Sequence, residues 1–168
     1  MTKKEIEKKA RECLELINLE IPVPVIEIAE KLGLEVHEVV APDEESLSQL
    51  SVALVKNDRH WLILVNEEEI ATRKRFAIAH AVGHFLLHPK KEKIDSFVAG
   101  ETIVLKDVYG TEEKEASYFA LALLMPTLEL KEAWQKTKDA ETLSKQFYVS
   151  QVSLTARLQA LNLVEGVL

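Results

Sequence analysis

His80, His84 and His88 follow one another at intervals of four residues. On an α-helix that spacing stacks the rings one turn apart on a single face. Two imidazoles so placed can converge on one metal ion. The run from Phe76 to Leu87 reads FAIAHAVGHFLL, and every member except the two histidines is apolar or glycine. An imidazole buried there without a partner is costly, so an ion or a dedicated hydrogen-bond network has to satisfy it. His88 lies eight residues beyond His80, about 12 Å along a helix axis. That is too far for all three rings of one straight helix to bind one ion. The roles left to His88 are to bind substrate, to orient an acidic side chain, or simply to end the helix.

The stretch from His80 to His84 is a variant of the zinc-peptidase pattern His-Glu-x-x-His, in which the glutamate is the general base. Ala81 stands at the glutamate position. Alanine cannot accept a proton, but that glutamate is not a ligand, so its loss spares the metal site and removes water activation. A third protein ligand has to come from elsewhere. The acidic stretch Glu112-Glu113-Lys114-Glu115-Ala116, opening a helix, is the best source. If Ala116, Phe119, Ala120 and Leu123 form the buried stripe, Glu112 and Glu115 border it and Glu113 turns further toward solvent. Spacing alone does not separate Glu115 from Glu112. Three protein ligands leave a fourth position for water, whose pKa the metal lowers.

The elements that must position these residues follow from periodicity and punctuation. Apolar residues at helical spacing predict a helix over 3–19, and Pro24 and Gly33 bracket a second over 24–32. Three short strands follow at 35–40, 51–56 and 60–65, the last two joined as a hairpin by Asn57-Asp58-Arg59. Pro42 to Ser48 reads as a polar loop. The histidine helix is expected over 67–88, capped by Asn66 and stopped by Pro89. Residues 89–110 read as an irregular surface loop that begins with the basic turn of Lys90, Lys91 and Lys93. Helices are expected over 111–125, 127–136, 139–147 and 151–161, the last with Ser150 as its cap.

At 168 residues the chain suits a single domain spanning 1–168, with 139–161 a small C-terminal helical pair within it. Hydrophobic residues at 47% and charged residues at 29% suffice for a core and exceed what a disordered chain carries. The net charge of −7 opposes nucleic-acid binding through the overall field. Cys13 is the one cysteine, which rules out an internal disulfide framework. The N-terminal MTKKEIEKKARECLELI lacks the continuous apolar core of a signal peptide, and no stretch approaches the ~20 apolar residues of a membrane span. A cytoplasmic protein is expected. The architecture these elements suggest is α+β: a small, mostly antiparallel sheet packed on the histidine helix, flanked by N- and C-terminal helices. A sheet edge at 51–56 or 60–65 is the expected place for an extended peptide to pair.

In this setting the chain resembles the ImmA/IrrE-type zinc metallopeptidases. The resemblance rests on RFAIAHAVGHFLLH from Arg75 to His88 and on Glu115-Ala116-Ser117-Tyr118-Phe119-Ala120 followed by Leu123-Leu124-Met125-Pro126. It continues in Phe147-Tyr148-Val149-Ser150 with Arg157-Leu158, and the segment from Pro24 to Gly33 resembles the family's usual start. It implies a zincin-like fold and Zn2+ held by His80, His84 and Glu115. It also implies a missing base at Ala81, with Tyr118 and His88 as candidate oxyanion donors and Ser117 in place of a common asparagine. Members are typically intracellular proteases of bacteria and mobile elements that cut or antagonise helix-turn-helix repressors. A protein substrate of that class is therefore implied. A natural non-catalytic binding module on the same scaffold is the alternative. A further alternative is a DNA-associated regulator using the C-terminal helix pair, in which Lys145, Arg157 and Gln159 would touch phosphates or bases. The plainer reading of that pair is two helices closing the domain.

Protein purified without added zinc or an affinity tag is expected to carry one equivalent of zinc, lost on replacing His80 or His84. Replacing Glu115 is expected to lose it as well; elemental analysis checks this, and absence of metal under replete conditions rejects every metal-based reading.

Overall fold

The computed structural model describes residues 1–40, 51–56, 60–89, 93–96 and 110–165. Among these, seven helices and four strands form. In chain order they are α1 (Lys3–Leu14), α2 (Val25–Lys31), β1 (Leu34–Val39), β2 (Val52–Lys56), β3 (Trp61–Asn66), α3 (Ala71–Leu87), β4 (Lys93–Ser96), α4 (Thr111–Leu124), α5 (Thr127–Thr137), α6 (Ala140–Phe147) and α7 (Gln151–Ala160). The expected α+β class is what forms.

The sheet runs in the order β1-β3-β2-β4. β1 lies parallel to β3, and the other two pairings are antiparallel. The hairpin read from the two apolar runs is present, with Val52 opposite Val65 and Lys56 opposite Trp61. Its connector, the loop expected over 42–48 and the basic residues Lys90 and Lys91 lie outside the described residues. Two expectations are corrected. The stretch expected to be irregular contains β4, which pairs with β2 from Val52–Ser96 to Val55–Lys93. Four residues hold too little alternation to announce a strand, and the free edge of β2 supplied the missing partner. Consequently, among the described residues, β2 and β3 are interior strands and the sheet edges are β1 and β4.

Val52, Leu54, Ile63 and Val65 are buried in the core that the sheet shares with α3 and α4. α3 and α4 make the most extensive helix–helix contact, α1 packs on α4, and α2 packs on β1 and α3. Helix ends follow local chemistry. Thr2 and Glu5 form a reciprocal capping box on α1. Asp139 and Ser150 cap α6 and α7 by accepting from Glu141 and Ser153 N–H groups. α3 starts at Ala71, four residues later than expected. Asn66 closes a turn instead, its Oδ1 accepting from Glu68 N–H at 3.0 Å. Glu67 N–H bonds the Val39 carbonyl at 3.0 Å and extends the sheet. The Asn-acidic signature thus belongs to a turn, because the backbone there is already committed to β1.

Gly83 sets the approach of α3 to α4. A Cβ at this position would lie 3.0 Å from the Ala116 carbonyl oxygen and 3.1 Å from both Ala116 Cα and the Phe119 ring. Only a residue without a side chain lets the backbones come so near. A second constraint ties the ends of the chain together. Arg157 is fully buried, and its guanidinium bonds both carboxylate oxygens of Glu7, the Thr127 hydroxyl and the Met125 carbonyl. Burial raises the Glu7 pKa, but Arg157, Thr127 and Tyr118 outweigh it and hold the carboxyl below 4.5.

Gly83→Ala is expected to destabilise the fold by roughly 1–3 kcal/mol through overpacking, despite a helix-propensity gain of about 1 kcal/mol; urea unfolding measures it. The ionised Glu7 contributes stability that is full above its unfolded pKa, near 4.5, and is lost as pH falls through its lower folded value. Acid unfolding of Glu7→Gln, compared with the parent, should show that contribution gone at neutral pH and a flatter acid limb.

Candidate metal centre

α3 carries His80 and His84 one turn apart, both fully buried. Their Nε2 atoms lie 3.0 Å from each other. From α4, Glu113 brings Oε2 to 3.1 Å from His80 Nε2 and Oε1 to 3.2 Å from His84 Nε2. One ligand atom from each of the three residues falls within 4.8 Å of the others.

The remaining ring nitrogens are engaged elsewhere. His80 Nδ1 lies 3.2 Å from Ser117 Oγ, and His84 Nδ1 lies 3.1 Å from His88 Nδ1. Outer partners of this kind are what hold a ligating imidazole in place. A tetrahedral ion with bonds of 2.0–2.1 Å separates its donors by about 3.3 Å, close to the spacing of these three groups. Two imidazoles and a carboxylate suit zinc or a similar divalent transition metal. The residues present fit the group.

Electrostatics prepares the same ligand states. Burial lowers the His80 pKa, favouring the neutral ring. Burial works against the Glu113 carboxylate, yet hydrogen bonds from His80 and His84 hold its pKa well below the usual range. A neutral imidazole and an ionised carboxylate are the forms that bind metal.

The structure places His80 and His84 together, and the carboxylate beside them is Glu113 rather than Glu115. Glu115, the expected ligand, does not face the pair; Glu113 does. The physical reason lies in α4. Every residue from Ala116 to Leu124 is buried, so an apolar stripe cannot reveal which face meets α3. Glu113 and Ser117 are four residues apart and share the face that meets His80. That four-residue pairing is the signal in the sequence for Glu113. Glu115 instead bonds His88, with Oε2 at 3.0 Å from Nε2, and its other oxygen contacts the Met1 amino group. Glu112, the other candidate, is not in the ligand group.

Tyr118, the candidate oxyanion donor, is bonded away from the histidines. Its hydroxyl donates to Glu7 Oε1 at 2.9 Å, on the side of α4 that faces α1. Burial, reinforced by Glu7, pushes its pKa up to about 12. His88 stands beside the centre, bonded to His84 and Glu115. Ala81 is buried. Arg157, a candidate for touching phosphate, is enclosed by the Glu7 network, and Lys145 pairs with Glu141 at 2.7 Å. A cleft of about 210 Å³ opens beside the centre, lined by Leu54, Lys56, Trp61, His84, Phe85, His88 and Pro89. A larger groove of about 510 Å³ around Glu7 contains none of the histidines.

An α+β fold with two imidazoles and a carboxylate on adjoining buried helices has the make-up of a metallopeptidase centre. Residues 29–159 match the peptidase family described as the IrrE N-terminal-like domain, and the chain belongs to it. No curated protein matches the chain. Among solved structures, a Mycobacterium tuberculosis transcriptional regulator is similar in fold, with TM-score 0.63 and 17% identity, covering 93% of this chain and 46% of that one. The chain thus spans about half the length of that regulator, and the likeness concerns fold alone.

Replacing Glu113 by alanine should weaken zinc binding by more than the roughly 10–100-fold that an outer partner costs. Chelator competition on purified protein measures the loss, and unchanged affinity would remove Glu113 from the ligand set.

Proposed function

We propose that this chain is a zinc-dependent endopeptidase-type protein whose substrate is a DNA-binding regulatory protein of the helix-turn-helix repressor class, and that Ala81 disables hydrolysis in this form. The observation that carries the reading is the meeting of His80 Nε2, His84 Nε2 and the Glu113 carboxylate at one point. The peptidase family supports the reaction class, and the repressor substrate rests on the resemblance seen in the sequence. Each group has a stated task. His80, His84 and Glu113 would hold the ion, while Ser117 and His88 orient the two rings. Leu54, Trp61 and Phe85 offer an apolar wall for the peptide beside His84. A divalent metal held there supplies Lewis-acid polarisation of the scissile carbonyl. The proton of the attacking water needs a carboxylate at position 81, where alanine provides none.

The reading treats 1–168 as one domain, with the 139–161 helices closing it. No helix among the described residues is long and apolar enough to cross a membrane, which agrees with a cytoplasmic site of action. Direct DNA contact through the C-terminal helices loses its best cation, since Arg157 is buried.

A second reading, a non-catalytic module that binds a regulator without cutting it, is favoured by Ala81 itself. Ala81→Glu distinguishes the two. Installing the base should raise cleavage of a partner repressor by roughly 10²–10⁴-fold with zinc present, read as fragments on a gel. A fully zinc-loaded Ala81→Glu protein that binds the repressor and leaves it intact would establish the second reading.

A further inference from the structure

The cleft beside His84 joins an aromatic wall to a single cation. Lys56 and Trp61 face each other in the β2–β3 register, and Leu54 lies two residues along β2 on the same face. Phe85, next to His84 on α3, completes the wall. The Trp61 and Phe85 rings are half-buried and meet edge to face, with centroids 5.6 Å apart and planes at 73°. That contact sets both rings in place before a ligand arrives. The recess measures about 210 Å³, smaller than the roughly 300–1,000 Å³ of a cavity that encloses a whole small ligand. Its size suits one side chain of a longer ligand. Its charge is equally specific. The Lys56 ammonium stands 5.8 Å from the centre of the Trp61 ring, and none of the described residues lining the cleft is acidic. The chain as a whole carries −7, so the rim of this recess has the sign opposite to the overall charge.

We propose that this cleft is a side-chain recognition pocket that selects peptide segments in which a large apolar residue, leucine or an aromatic, stands beside an acidic one. The inference deepens the reading of the chain as a protein that binds a polypeptide beside His84, and rests on it. Trp61 and Phe85 grip the apolar side chain against Leu54, and Lys56 holds the neighbouring carboxylate. The two contacts discriminate differently. Apolar burial supplies most of the affinity, whereas an exposed ion pair supplies a smaller, salt-sensitive preference. The overall charge of the chain repels acidic peptides, so a preference for them has to be local to Lys56.

The experiment measures binding to the full chain, with and without zinc, by fluorescence anisotropy of dye-labelled, blocked hexapeptides in which glycines flank one test pair. One residue of the pair is alanine, leucine or phenylalanine, and the other is glutamate, glutamine or lysine, in both orders. Leucine and phenylalanine should bind roughly 10–100-fold more tightly than alanine. Glutamate should exceed lysine by about fivefold at low salt, and by less as salt rises. Trp61→Ala and Phe85→Ala should flatten the apolar preference. Lys56→Glu, a change at an exposed position, should reverse the charge preference and keep the apolar one. Thermal unfolding of each variant separates lost recognition from lost fold. Equal affinity across the apolar series, or no binding of any peptide to the folded parent, overturns the proposal. So does a glutamate preference that survives Lys56→Glu. If the chain binds no zinc yet keeps the apolar preference, the metal reading fails and the pocket stands. If Ala81→Glu cuts a repressor only at bonds with no large apolar residue beside them, the pocket fails and the peptidase reading stands.

Discussion

The close approach of α3 and α4 at Gly83 governs the rest of this molecule. Two helices buried on nearly all sides meet with a glycine against the Ala116 backbone. At that distance a carboxylate on one helix reaches imidazoles on the other without spanning a void. The same approach removes water from the histidines, so every polar atom brought into the contact has to find a protein or metal partner. The sheet, α1 and α2 serve this pair by covering its remaining faces with apolar side chains.

That requirement accounts for the layered arrangement around the histidines. Ser117 faces His80, while His88 and Glu115 back His84. Glu113 stands between the two Nε2 atoms. Glu113, His88 and Glu115 each contact two neighbours rather than one, which is how a polar cluster in an apolar contact acquires a single geometry. The acidic composition of the chain is not spread evenly in purpose. Glu113 and Glu115 sit two residues apart on one helix, yet one faces the two rings and the other the nitrogen behind them.

Much of this was legible before any coordinates. The apolar run around His80 and His84 announced a buried helix, and the order of elements announced an α+β fold with a β2–β3 hairpin. What was not legible has physical causes. The start of α3 was misplaced because Asn66 and three glutamates serve a turn as well as they serve a helix end. β4 was missed because four residues gain strand character only from the open edge of β2. Spacing leaves Glu115 and Glu112 open and the family resemblance points to Glu115, whereas the rotation that brings Glu113 to the histidines comes from tertiary packing, because a helix apolar all round gives no phase. The bond of Tyr118 to Glu7 was hidden for the same reason. Its true neighbour, Glu7, is remote in sequence, and no local pattern links them.

The Glu7–Arg157 pair joins residues 150 positions apart. It lies between α1 and α7, the first and last helices of the described chain, with Tyr118 of α4 and Thr127 of α5 bonded into it. Fraying of α1 would strand the buried charge of Arg157, whereas Glu7 is part-exposed. Opening of α1 therefore carries a cost that terminal segments usually escape. Its loosening is coupled to that of α4, and through α4 to the carboxylates beside the histidines. The candidate metal centre and the two ends of the described chain are thus joined through α4 by one network of polar contacts.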